Sequence, residues 1–405
     1  EWNDISDSAR DKSLDMTRQH LEKVMALDLS KANDSVRLSV KMFIQQANKE
    51  IEGDRWRYHS YPVNQMRGAH GMIPSFLINQ HLIANKDEAK AYINRITNSQ
   101  ALLQQVIEQL EIRQQKGIIA PKFVFPLVME SIDNILRGAP FSEGPDSTIL
   151  ADFKTKIAKL DISEADKNDL GIAASAALQK SLAPGYYGLK TALRKLEANA
   201  TNDHGVWKFP DGEQFYNFAL QRTTTTDLTA SQIHNRGLDE VARIQSEMLE
   251  IIETVGFDGD LQAFFDFMRN DPQFYFPNTA EGKEAYLSQA TKLINDMKER
   301  LDELFITKPK ADLVVKAVEP FREASAGQAF YQRPAPDGSR PGTYFANLYK
   351  MGDMSKYNME ALAYHEGIPG HHMQLSIAQE LKNIPKFRLF GGYTVFSEGW
   401  GLYSE

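Results

Sequence analysis

Apolar residues that return every three or four positions dominate this chain and commit most of it to helix. In "LDEVARIQSEMLEIIETVG" (238–256) the set Leu238, Val241, Met248, Ile252 and Val255 follows helical spacing. Thr229 and Gln232, just upstream, have the spacing of a capping box, in which a hydroxyl and an amide satisfy the free N–H groups of a helix start. Leu293, Met297, Leu301 and Leu304 repeat the pattern. Both stripes are expected to face a core, because a helix in water draws most of its stability from burying such a face.

Strand signals are scarce and late: "LVVKAV" (313–318) and "TYFANL" (343–348). They suffice for a small β ribbon but not for a sheet-based fold. Segments dense in Gly, Pro and Asp interrupt the helices at 137–147, 202–213 and 332–342. The middle one is taken as a boundary, which gives an N-terminal helical half, 1–205, and a second half, 206–405. The expected fold is mainly α, an elongated helical bundle with a central cleft.

Charge and composition remove several function classes. A net charge of -8 and a pI near 5.7 argue against nucleic-acid binding, which draws its affinity from clustered Lys and Arg. No apolar run reaches the roughly 18 to 20 residues of a membrane span; the best, "GIIAPKFVFPLVM" (117–129), is broken by Lys122 and two prolines. Phosphate-loop, dinucleotide and nucleophile-elbow patterns are missing. With no cysteine in the chain, thiol catalysis is excluded, and any transition metal must be held by His, Asp or Glu.

"YHEGIPGHHMQ" (364–374) places three histidines beside a glutamate. Two histidines four apart on a helix lie about 40° apart and can share one ion, but the fourth position after His365 is Pro369. Proline has no N–H to donate and clashes with the preceding turn, while Gly370 permits unusual backbone angles. The helix is therefore expected to kink or bulge at Pro369-Gly370, carrying His371 to the place of a second ligand. "VFSEGWGLYSE" (395–405) offers a third in Glu398, beside Gly399 and Gly401, small residues that allow close helix approach. His372 and Glu405 remain candidates either to hold a ligating imidazole or to act as alternative ligands.

These two motifs together resemble the bacterial family DUF885, whose fold is similar to that of helical gluzincin peptidases. "YPVNQMRG" (61–68), 220–248, 256–276 and "GSRPGTYFANL" (338–348) extend the resemblance over most of the chain. It implies a zinc-dependent peptidase with His365, His371 and Glu398 as ligands and Glu366 as general base. The run "GTYFANL" would be an edge strand along which an extended peptide substrate lies, with Tyr344 and Asn347 in contact with it. It also implies a bacterial envelope or periplasmic location, a lipid-anchored precursor, and a chain that continues beyond Glu405. The alternative function is a non-catalytic peptide- or partner-binding protein that keeps a degenerate metallopeptidase cleft.

Overall fold

The computed structural model describes residues 2–405. The fold is mainly α-helical with one three-stranded sheet. The chain divides into two compact units: Glu1–Lys31, Val40–Glu213 and Glu319–Ala326 form the first, and Ala32–Ser39, Gln214–Val318 and Gly327–Glu405 form the second. The long changeover falls at 213/214 and follows the 202–213 break, and short segments exchange at 32–39 and 319–326.

The first unit is organised by one long helix, Lys86–Gln115. Asn85 starts it by accepting hydrogen bonds from the N–H groups of Asp87 and Glu88. Its buried positions, Ala89, Tyr92, Ile96, Leu103, Val106 and Leu110, recur at three- to four-residue intervals and form one face of the core. Each large apolar side chain buried there contributes about 1.5–3 kcal/mol. The helix Ala183–Glu197 packs against it at close range because position 185 is glycine: a Cβ there would lie 2.8 Å from Leu103 Cδ1 and 3.2 Å from Gln100 Cα.

The second unit holds the sheet. β1 (Leu313–Ala317) pairs in parallel with β3 (Gly342–Ala346), and β2 (Ala329–Gln332) pairs with β3 antiparallel, in the order β1-β3-β2. All of β3 is buried. Its Tyr344 joins Tyr286 and Ile294 of the helix Ala280–Arg300, together with Met359, Ala363, Ile368 and Met373, in a second core.

Two expectations need correction here. "GTYFANL" is not an edge strand: β3 is central, with both sides paired. The stripe on the helix Ala230–Thr254 is not core either; the capping box forms, but Ile252 alone on that helix is buried, while Leu238, Val241 and Val255 are more than half exposed. In the helix Ala280–Arg300, Leu293 and Met297 border the core; just past its end Leu301 is buried and Leu304 is exposed. Periodicity marks which residues share a face, not whether another element covers it.

Candidate metal centre

The helix Met359–Glu366 ends immediately after His365-Glu366, and a new helix, His371–Glu380, begins at the next histidine. Between them Gly367 and Gly370 sit in non-helical conformations with ψ of -118° and -126°. Both must be glycine: a Cβ on Gly367 would stand 2.5 Å from the Ala363 carbonyl, and one on Gly370 would stand 2.1 Å from that of His365. The tight loop is closed by Gly370 N–H to Tyr364 O at 2.9 Å and His372 N–H to Gly367 O at 3.0 Å. It turns a six-residue separation into a ring contact, with the His365 and His371 centroids 4.6 Å apart at 79°.

The helix Thr394–Ser404 brings the carboxylate. Trp400 ties it to the loop by donating from Nε1 to Pro369 O at 2.8 Å. Gly401 permits the approach, since a Cβ there would fall 2.6 Å from His365 Cε1. Glu398 Oε2 then lies 3.5 Å from His365 Nε2 and 3.6 Å from His371 Nε2. Among the described residues, His365, His371 and Glu398 are the one His/Asp/Glu group whose donor atoms converge in this way, all within 4.8 Å of one another.

That spacing suits a metal. Donors bound at about 2.0–2.2 Å in a tetrahedron stand roughly 3.3–3.6 Å apart, close to the two distances from Glu398 Oε2. The tautomers suit one as well. Glu405 Oε1 lies 2.8 Å from His365 Nδ1, so Nδ1 carries the proton and the Nε2 lone pair faces the trio. His371 Nδ1 is buried without a hydrogen-bond partner, and burial together with the adjacent His365 pushes the His371 pKa below its usual value.

Glu366, next to His365 in the chain, is buried. Burial raises its pKa to about 7, with His365 opposing and the Glu398 carboxylate reinforcing the shift. A carboxyl poised there can hold or release a proton near neutral pH.

The other expected site residues lie elsewhere. His372 is fully buried with both nitrogens engaged, by Tyr331 and by the Ala311 carbonyl, so it offers no lone pair to an ion at the trio. Tyr344 is fully buried in the core of its unit, as its place on the central strand requires. Asn347 closes the end of β3 locally: its Nδ2 donates to Gly327 O, and its Oδ1 accepts from the N–H of Tyr349. Sequence reasoning gave Gly401 only the part of allowing close helix approach. The glycine was visible in the motif, but its contact with His365 emerges only once the two helices meet.

A family model described as "Bacterial protein of unknown function (DUF885)" matches residues 1–405. The chain belongs to DUF885. The crystal structure of "the putative lipoprotein from Colwellia psychrerythraea" superposes on this DUF885 chain with a TM-score of 0.90, covering 100% of it and 70% of the other, at 24% identity. At that identity the likeness is one of fold. Comparison with curated proteins gives no match. Among the described residues, no helix is long and apolar enough to cross a membrane.

Proposed function

We propose that this DUF885 protein is a zinc-dependent hydrolase of peptide bonds. The observation that carries the reading is the convergence of the His365, His371 and Glu398 donors beside a buried glutamate whose pKa lies near 7. Zinc held by the three residues would supply Lewis acidity and lower the pKa of a water to about 7. Glu366 takes the proton of the attacking water and delivers it to the leaving amine, the two halves of general base and general acid work. Glu405 keeps His365 in the tautomer that presents Nε2.

β2 is the strand suited to an extended peptide. It has a sheet neighbour on one side only and packs on the Met359–Glu366 helix. Strand addition there needs only main-chain donors and acceptors, so it favours peptides without dictating their side chains. A place in the bacterial envelope is part of the proposal and leans on the name of the Colwellia protein.

Glu366→Gln tests the reading. It should retain zinc while peptide turnover falls by about 10² or more. Undiminished turnover in that variant would remove Glu366 from its role. Peptide binding without turnover in the zinc-loaded wild type would favour a non-catalytic binding protein.

A further inference from the structure

His372 stands where four stretches of backbone meet. Its Nε2 lies 2.9 Å from the carbonyl oxygen of Ala311, two residues ahead of β1, and its Nδ1 lies 3.0 Å from the Tyr331 hydroxyl on β2. A carbonyl can only accept, so Nε2 carries the proton and Nδ1 accepts from Tyr331. The Tyr331 oxygen in turn lies 3.5 Å from the Ser376 hydroxyl, one turn along the His371–Glu380 helix. β3 makes room with Gly342, where a Cβ would fall 2.5 Å from His372 Nδ1 and 2.8 Å from the Tyr331 oxygen. The cluster therefore joins β2, β3, the segment before β1 and the first turn of the histidine helix.

That first turn carries His371, whose ring needs to be held. A ligating histidine is normally oriented by a hydrogen bond on its other nitrogen. His365 has one, donated from Nδ1 to Glu405; the Nδ1 of His371 is buried and has none. Nor does a side chain cap the start of this helix. The placement of His371 must then come from its backbone, and the adjacent residue is the one anchored to the sheet.

We infer that His372 and Tyr331 form the positioning pair for His371, a clamp that fixes the first turn of its helix so that Nε2 faces Glu398. The inference rests on the reading of His365, His371 and Glu398 as metal ligands. Neither member of the pair touches the ion; both act through His371.

The test uses the full chain with Zn²⁺ alone or Co²⁺ alone as the probe. Affinity comes from competition with a chromophoric chelator, site geometry from the visible spectrum of the Co²⁺ form, and fold integrity from the thermal midpoint of the metal-free protein. Tyr331→Phe, which removes one hydroxyl, and Gly342→Ala, which crowds the pair without removing a polar group, should each weaken Zn²⁺ binding about 10- to 100-fold and alter the Co²⁺ spectrum. The metal-free Tyr331→Phe protein should still melt cooperatively. A lower midpoint with wild-type affinity and spectrum would reduce the pair to ordinary core packing and overturn the inference, leaving the metal reading intact. A wild type that binds neither ion would overturn both.

Discussion

Replacing Gly401 by alanine probes the close approach of the Thr394–Ser404 helix to the His365 ring. The added Cβ would lie 2.6, 2.8 and 3.0 Å from three atoms of the His365 ring. Ordinary contact begins near 3.4 Å, so relief requires a displacement of about 3.4 - 2.6 = 0.8 Å. Metal–ligand distances tolerate only about ±0.2 Å. The ring has little freedom to yield, because Glu405 holds Nδ1 at 2.8 Å and His371 lies on its flank. If the Thr394–Ser404 helix moves instead, it carries Glu398 with it. Either adjustment breaks the trio, and the expected loss of Zn²⁺ affinity is about 10- to 100-fold, or roughly 1.4–2.7 kcal/mol. Chelator competition measures it, with Gly399→Ala as the control, since nothing lies within 4 Å of a Cβ at that position. Both substitutions should gain up to about 1 kcal/mol of intrinsic helix stability. Wild-type affinity in Gly401→Ala would refute the reasoning; weakened affinity in Gly399→Ala would show that the effect belongs to the helix rather than to the contact.

Two further predictions concern the first unit. Burial lowers the pKa of His70 and of His81 to about 4, and the Arg95 charge adds to the effect at His81. With folded values below the unfolded value of 6.5, both groups leave stability undiminished above pH 6.5 and reduce it as pH falls towards 4, by about 3 kcal/mol for the deeply buried His70 and by less for His81. Urea midpoints should therefore drop between pH 7 and pH 5, and equal midpoints at the two values would contradict the assignment. Leu103→Ala should cost about 2–5 kcal/mol in urea unfolding, because Leu103 is fully buried against the Gly185 helix. Ile172→Ala, at a residue 61% exposed, should stay within about 0.5 kcal/mol, and similar costs for the two would discredit the core described here.

The sequence disclosed what depends on near neighbours and withheld what depends on distant ones. Helices were legible from spacing, and the Thr229–Gln232 capping box from four consecutive positions. β1 fell within a β-prone run and β3 overlapped one, but "AFYQ" (329–332) carries no strong signal and becomes β2 through its pairing with β3. Sheet order was equally hidden, which is why "GTYFANL" read as an edge. The glycine and proline between His365 and His371 announced a broken helix, since no regular one accommodates them. The partners of His372 lie 41 and 61 residues away, and nothing in its local pattern distinguishes a clamped imidazole from a ligand. The fate of Leu238 and Val241 followed the same rule: spacing defines a face, and only the assembled unit decides whether it is covered.

The central claim is that His365, His371 and Glu398 hold one metal ion. Its most direct test is metal content by mass spectrometry after Zn²⁺ loading and dialysis, on the wild type and on His365→Ala, His371→Ala and Glu398→Ala. The account predicts about one zinc per wild-type chain and a large loss in each variant. A wild type without zinc, or variants that retain it in full, would contradict the claim.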